Sequence, residues 1–317
     1  MAMPSERAPV SGLGRVVAAT IAFVLLAPAA LVTVPLAALL LVSRPSAPGE
    51  LVAAGVTMGY SVWWLLQPGA LPDQVLRTVC LAGALVYVTA TLATRLSFPH
   101  RVIVAAGSAL VAVAGGLLVI GSSVGAVQWW VAHQVGLTIR QMVGELWVLS
   151  SGRTAQTIAT LEGWLEGSLH TMVAFFPAVT LLESMLGLAL ATALVRRIAR
   201  APAAPALEPF REFRFNDHLG WLAVGGLALA LVPGFDAVHL PAMNLLVVLA
   251  AFYALRGFAV AAFGLAAVGA GGFFLWLLFA VIFFLLLPVV LGGAVLLGVA
   301  DAGVDLRRRW RTPRTSA

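Results

Sequence analysis

The sequence predicts an all-α, polytopic transmembrane helix bundle with about eight to ten membrane helices. Three observations lead there. Of the 317 residues, 61% are hydrophobic and 10% charged, against roughly 45–50% and about 25% in soluble domains. Apolar runs recur along the whole chain near the length of about 20 helical residues that crosses the hydrocarbon core. The basic residues, all nineteen of them Arg, gather in short segments between those runs. The composition excludes a soluble globular enzyme, a disordered chain and a disulfide scaffold.

The first run, 16–42, follows a polar stretch carrying Arg7 and Arg15. It is far longer than the apolar core of a signal peptide, about 7–15 residues, so cleavage is not expected. Pro28 and Pro35 interrupt it. Because proline removes a backbone donor and kinks or ends a helix, the run reads as helices at 16–27 and 29–42, or as one strongly bent helix. Further runs cover 51–66, 74–94, 101–124, 170–195, 219–232, 240–263 and 266–304. The last is too long for one span, and Pro288 is the expected divider. Cys80 is the only cysteine, so no intrachain disulfide and no Cys-based metal site can form. A small buried apolar role is expected for it.

Arginine sets the expected orientation. Arg196, Arg197, Arg200, Arg211 and Arg214 cluster in one Pro-containing loop, Arg95 and Arg101 share another, and Arg307, Arg308, Arg309, Arg311 and Arg314 crowd the C-terminus. Positive segments stay inside. The chain is therefore expected to be a single integral membrane domain, 1–317, of the bacterial inner membrane, with both termini cytoplasmic. A cytoplasmic Arg/Pro-rich loop covers 196–218 and a basic tail 305–317. The lipid bilayer, not nucleic acid, is the partner that this charge implies.

Residues 125–169 differ. Val131, Val135, Ile139, Val143 and Trp147 form one stripe, and Ile158, Leu161, Leu165, Leu169 and Met172 a second, with polar residues between them. This is helical amphipathicity. Trp129, Trp130, Trp147 and Trp164 suit the headgroup level. Two extracytoplasmic helices, lying on the outer surface or capping the bundle, are expected, separated at 150–154.

Few residues suggest chemistry. Glu162, Glu166 and His170 share a helical face but lack the further ligands a metal needs, so a solvated face is expected and no metal is assigned. Gly121-Ser122-Ser123-Val124-Gly125 fits G-x-S-x-G, but a nucleophile elbow needs a strand-to-helix turn. These glycines, like Gly55 and Gly59, are expected to let helices pack closely. Glu183 and Arg256 stand inside apolar runs, where a charge costs roughly 2.5–3.5 kcal/mol on insertion scales and so calls for a partner or a wet cavity. With Asn244 they are the candidate ligand-binding residues. By depth, Arg256 matches Asp301 if it bends toward the inner surface and Glu183 if it bends toward the core. Glu183 is the expected partner, because no other basic residue shares its depth. Asp301 and Asp305 oppose the dipole at the end of the last helix, with Arg307 beside them, and are expected to be structural or anchoring.

The C-terminal half resembles a known family. Pro209-Phe210-Arg211-Glu212-Phe213-Arg214-Phe215 precedes one apolar run. Asn244-Leu245-Leu246 and Tyr253-Ala254-Leu255-Arg256-Gly257 lie in the next. The chain closes with Leu297-Gly298-Val299-Ala300-Asp301-Ala302-Gly303-Val304-Asp305-Leu306-Arg307. Together with Pro177 and Glu183-Ser184, these strings are similar to the YybS-like family of predicted bacterial membrane proteins, over roughly 165–310. Gly303 stands where a bulky aromatic would be usual, and Arg256 where an uncharged polar residue would be. The family implies no catalytic residue. A looser similarity to the substrate-binding membrane components of energy-coupling-factor transporters implies a compact helical bundle with an outward-facing cavity.

The function expected from all this is a non-enzymatic component that binds or transports a small solute near Glu183 and Arg256. It has no cofactor and no nucleotide-binding loop of its own, so an ATP-driven step needs a protein partner. The alternative is a structural or regulatory membrane protein that recruits partners through the Arg-rich loop and tail. An intramembrane hydrolase is a distant third.

Overall fold

The computed structural model describes residues 13–94, 96–149, 155–232, 236–267 and 287–311, most of them helical and none in a strand. The chain divides into two compact units, Met1–Leu207 and Glu208–Ala317.

The first unit holds α1 (Leu13–Leu26), α2 (Ala30–Val42), α3 (Pro48–Leu66), α4 (Leu71–Ala93), α5 (Phe98–Val119), α6 (Val124–Leu149), α7 (Ala155–Ala174) and α8 (Phe176–Ile198). At its centre is α2, which packs on α3, α4 and α8. Leu31, Val32, Leu36, Leu39 and Leu40 are all buried, so the helix is apolar on every side, as a core helix is. The break between α1 and α2 falls at Pro28, whereas Pro35 is accommodated inside α2. Proline at 35 removes the donor that would bond the Leu31 carbonyl. At that same carbonyl α8 comes closest, and a β-carbon on Gly187 would overlap it. The buried Tyr87 and Thr192 hydroxyls, 2.7 Å apart, tie α4 to α8.

Between α5 and α6 the G-x-S-x-G string has a local role. Gly121 takes φ 66°, Ser122 N–H donates to the Leu117 carbonyl and Gly121 N–H to that of Leu118. This is a Schellman ending. Ser123 Oγ then accepts the Ala126 N–H at 3.2 Å and caps α6. The close helix packing expected at Gly121 and Gly125 is not found, and Gly55 and Gly59 have nothing within 4 Å. Close approach is instead the work of Gly187, Gly257 and Gly298.

Both amphipathic helices are present. Ile139 and Val143 of α6 bury against Ile158 of α7. The stripes end earlier than expected, since Trp147 and Met172 are exposed. The expected separator at 150–154 lies outside the described residues. A second break, at Phe175, divides the 170–195 run between α7 and α8.

The second unit holds a 3-10 turn (Phe210–Glu212), α9 (Leu219–Leu231), α10 (Asp236–Ala267), α11 (Leu287–Val304) and the short α12 (Leu306–Arg311). Both α9 and α11 pack on α10.

Among the described residues, five helices are long and apolar enough to cross a membrane: α4, α5, α8, the Val238–Leu265 part of α10, and α11. The count of eight to ten is not reached. The helices α1, α2 and α9 are apolar but only 13–14 residues long, about 20 Å at 1.5 Å per residue and short of a full crossing. Glu50 and three glycines dilute the 19-residue α3, and 268–286, the middle of the last run, lies outside the described residues. Large apolar side chains such as Leu66, Leu118, Val119 and Leu296 are more than two-thirds exposed, which suits a protein solvated by lipid rather than water.

Candidate functional site

The densest polar constellation lies in the second unit and is built by the α10–α11 crossing. The Ala294 carbonyl occupies the place where a Gly257 β-carbon would stand, and the Tyr253 carbonyl the place of a Gly298 β-carbon. The helices therefore run antiparallel with their backbones touching, an approach that only glycine at both positions allows. Arg256, beside Gly257, is thereby set against Asp301, one turn beyond Gly298.

Asp301 is fully buried, and Arg256 and Arg307 are within 2% of it. One oxygen, Asp301 Oδ2, accepts from Arg256 Nε at 2.8 Å and from Arg307 at 2.8 Å. Arg256 also donates to the Asp301 backbone carbonyl at 3.2 Å, and its remaining NH1 pairs with Asp217. The guanidinium lies 5.6 Å over the Phe215 ring, which packs edge-on against Phe252 and Tyr253. Arg307 reaches back to the carbonyls of Arg211 and Phe213, both at 3.1 Å.

Asp305 closes the arrangement. It holds φ 46°, a left-handed position that Asp tolerates better than most residues. It ends α11 by donating its N–H to the Asp301 carbonyl and starts α12 by accepting from Arg308 N–H at 3.3 Å. Arg214 grips it with two bonds, 2.7 and 3.3 Å, and this hydrogen-bonded cation holds the Asp305 carboxyl below its ordinary value. The three carboxylates Asp217, Asp301 and Asp305 balance the three guanidiniums Arg214, Arg256 and Arg307. Beside the network opens a cleft of about 460 Å³, lined by Glu208, Glu212, Arg214, Asp305, Arg307 and Arg308.

Of the residues singled out by sequence, the structure joins Arg256, Asp301 and Arg307 directly, and places Asp305 in the same network. Arg256 finds its carboxylates in Asp301 and Asp217, which corrects the expectation that Glu183 is its partner. The depth argument failed because it treated each helix as a separate rod. The two glycines fix the register of α10 on α11, and that register sets Arg256 beside Asp301. Glu183 lies in the first unit, half-buried on α8, with no ion pair among the described residues. Asn244 donates to the Leu240 carbonyl one turn back at 3.0 Å. On α7, Glu166 and His170 are exposed, and no group of three or more His, Cys, Asp or Glu that could hold a metal occurs among the described residues.

Sequence reading missed Asp217, Phe215 and Glu50. A signal for Phe215 was present, because it closes the Pro209–Phe215 string, which with the closing Gly298–Arg307 string carries the family resemblance; Asp217 lies two residues beyond that string. Glu50 gives none. It is buried, accepts from Ser46 N–H at 2.8 Å and Ala47 N–H at 3.1 Å at the start of α3, and from Arg200 N–H at 2.7 Å. Those backbone donors, Ser46 foremost, hold its carboxyl below the usual range.

The first unit has a pocket of different character, about 230 Å³, between α4, α5, α8 and the start of α6. Its wall is aliphatic and aromatic, including Val79, Leu110, Leu117 and Phe176, with Gln128 and Thr180 as its polar side chains.

No curated protein and no solved structure matches the chain. A family model does match, over residues 16–302, and its description is predicted membrane protein (DUF2232). That span takes in both units, from α1 to the buried Asp301, and the chain belongs to this family of membrane proteins.

Proposed function

We propose that the protein is a binding or transport component of the bacterial inner membrane that takes a small, largely apolar solute in the α4–α5–α6–α8 pocket. One observation carries the reading: a cavity of about 230 Å³ whose wall is almost wholly aliphatic and aromatic. Small-molecule sites are concave and lined predominantly by hydrophobic and aromatic side chains. The ligand chemistry differs from the charged site expected around Glu183 and Arg256. Arg256 is neutralised within its own network, and the pocket carries no charged side chain. A neutral, apolar molecule fits the lining. The pocket lies beside the start of the amphipathic α6, which supports entry from the side that α6 and α7 cover. The Arg clusters support a cytoplasmic location for 196–218 and both termini. The chemistry of the pocket suits binding rather than catalysis, and an energised step belongs to a separate ATPase.

Native mass spectrometry of the purified protein, beside Ala114→Trp and Leu181→Trp variants that fill the pocket, tests this. A small neutral molecule retained by the wild type and lost from both variants is the expected result. An empty wild type, or equal retention by the filled variants, refutes it. Co-purification of a protein with the Arg-rich loop and tail, with no solute, favours recruitment of partners instead.

A further inference from the structure

We propose that Arg101 anchors a second, unrelated site in the first unit, one that binds a phosphate-class anion where α4 meets α5. The three most buried arginines of the described chain are Arg101, Arg256 and Arg307. Two share Asp301. Arg101, 2% exposed, has no carboxylate within ion-pair distance among the described residues. Its NH1 donates to Thr91 Oγ1 at 3.1 Å, its guanidinium lies 5.7 Å over the Tyr87 ring, and its buried Nε has no partner. A hydroxyl and a ring face are weak compensation for a cation removed from water. Such a charge is costly unless a counter-charge completes it.

The surroundings favour an anion in two further ways. Arg101 is the fourth residue of α5, whose first turn carries the positive end of the helix dipole. Ser97, at the capping position, does not cap that turn. Its Oγ is engaged 2.7 Å from His100 Nδ1. Pro99 has no N–H and the Arg101 N–H bonds the Ser97 carbonyl, so the amides of this turn that lack an intrahelical acceptor are those of Phe98 and His100. Thr91 lies in the last turn of α4, and α4 and α5 are both long enough to span. The guanidinium therefore stands near the end of two spans, the level at which phospholipid phosphates lie. Guanidinium matches phosphate with paired, charge-assisted hydrogen bonds. The phosphodiester of a lipid headgroup and free inorganic phosphate present the same chemistry.

The test uses full-length, delipidated protein in a maltoside detergent. Thermal unfolding is followed on addition of short-chain phosphatidylglycerol, inorganic phosphate against chloride at equal ionic strength, or a phosphate-free glycolipid with the same acyl chains. For the wild type, stabilisation by phosphatidylglycerol over the glycolipid identifies a lipid phosphate, and stabilisation by inorganic phosphate over chloride identifies a free anion. Arg101→Gln should weaken that response roughly tenfold, as expected on removal of a charge-assisted contact, and Arg101→Lys should retain part of it. If Arg101→Gln does not fold, Thr91→Val and the wild-type comparison decide. Equal responses to phosphatidylglycerol and glycolipid with none to phosphate, or an Arg101→Gln protein that responds like the wild type, overturn the proposal.

Discussion

Asp301→Asn is the most informative single change, because one oxygen of Asp301 neutralises two buried cations. Both of its partners sit at 2.8 Å, and their side chains are 3% and 1% exposed. Asparagine keeps the shape but removes the charge. The guanidiniums of Arg256 and Arg307 are then left facing a neutral amide, with Asp217, 63% exposed, as the remaining nearby anion for Arg256. Removing one partner of a buried pair costs about 3–5 kcal/mol, mostly through the charge left behind, and here two charges are left. A loss at the upper end of that range is expected. The assay is equilibrium unfolding in mixed micelles of Asp301→Asn, Arg256→Gln and the double variant. The double variant should recover part of the loss, with a coupling above about 1 kcal/mol. A second cycle, Glu183→Gln with Arg256→Gln, should be additive within about 0.5 kcal/mol. A loss under about 1 kcal/mol for Asp301→Asn, or coupling that appears with Glu183 and not with Asp301, would refute the reasoning.

Gly257→Ala and Gly298→Ala should each separate α10 from α11, because the added methyl meets a backbone carbonyl that cannot rotate away; a cost of about 1–3 kcal/mol is expected, while Gly55→Ala, with open space around it, should be neutral in the same unfolding assay. Glu50 is an acid-labile joint whose pKa is lowered on folding, so its contribution is complete above the ordinary carboxylate range and disappears as the pH falls through the lowered value. Stability measured from pH 7 down to pH 3 should show an acid limb that is smaller in Glu50→Gln, and an unchanged limb counts against the joint. Reporter fusions at residues 205 and 317 should read cytoplasmic and one at 150 external, and an external 205 or an internal 150 sinks the orientation.

The helices were legible because apolar runs and proline positions are local signals: the break at Pro28 and the boundaries of α4 and α9 fall within about three residues of the apolar runs, while α5 ends five residues early, at the Gly121 turn. Phe175 was not legible, since an apolar residue at a joint between an amphipathic and an apolar helix carries no mark. The glycine roles were misread for a related reason. Spacing finds a small-residue pattern, but only packing shows which glycine meets a neighbour. Gly121 ends a helix, whereas Gly257 and Gly298, 41 positions apart in sequence, meet across a crossing. The charged site was half legible. Arg256, Asp301 and Arg307 stood out as costly charges in apolar surroundings, but their pairing depends on register between helices, which hydropathy does not encode.

The same register explains why the network need not be the place where a ligand binds. A site for a charged solute must leave some of its charge uncompensated, or hold it in reach of solvent. In the second unit each of the three guanidiniums has a carboxylate, and the bonds also fix the 3-10 turn segment through the carbonyls of Arg211 and Phe213. Such closure favours holding the 208–218 segment against the ends of α10 and α11. The first unit differs: Thr180 and Gln128 line an apolar pocket, and Arg101, at the end of two spans, has no carboxylate within ion-pair distance among the described residues. In this chain Arg256 and Asp301, which stand out by composition, are matched to each other by the fold, whereas Glu183, equally conspicuous in the sequence, has no ion pair among the described residues.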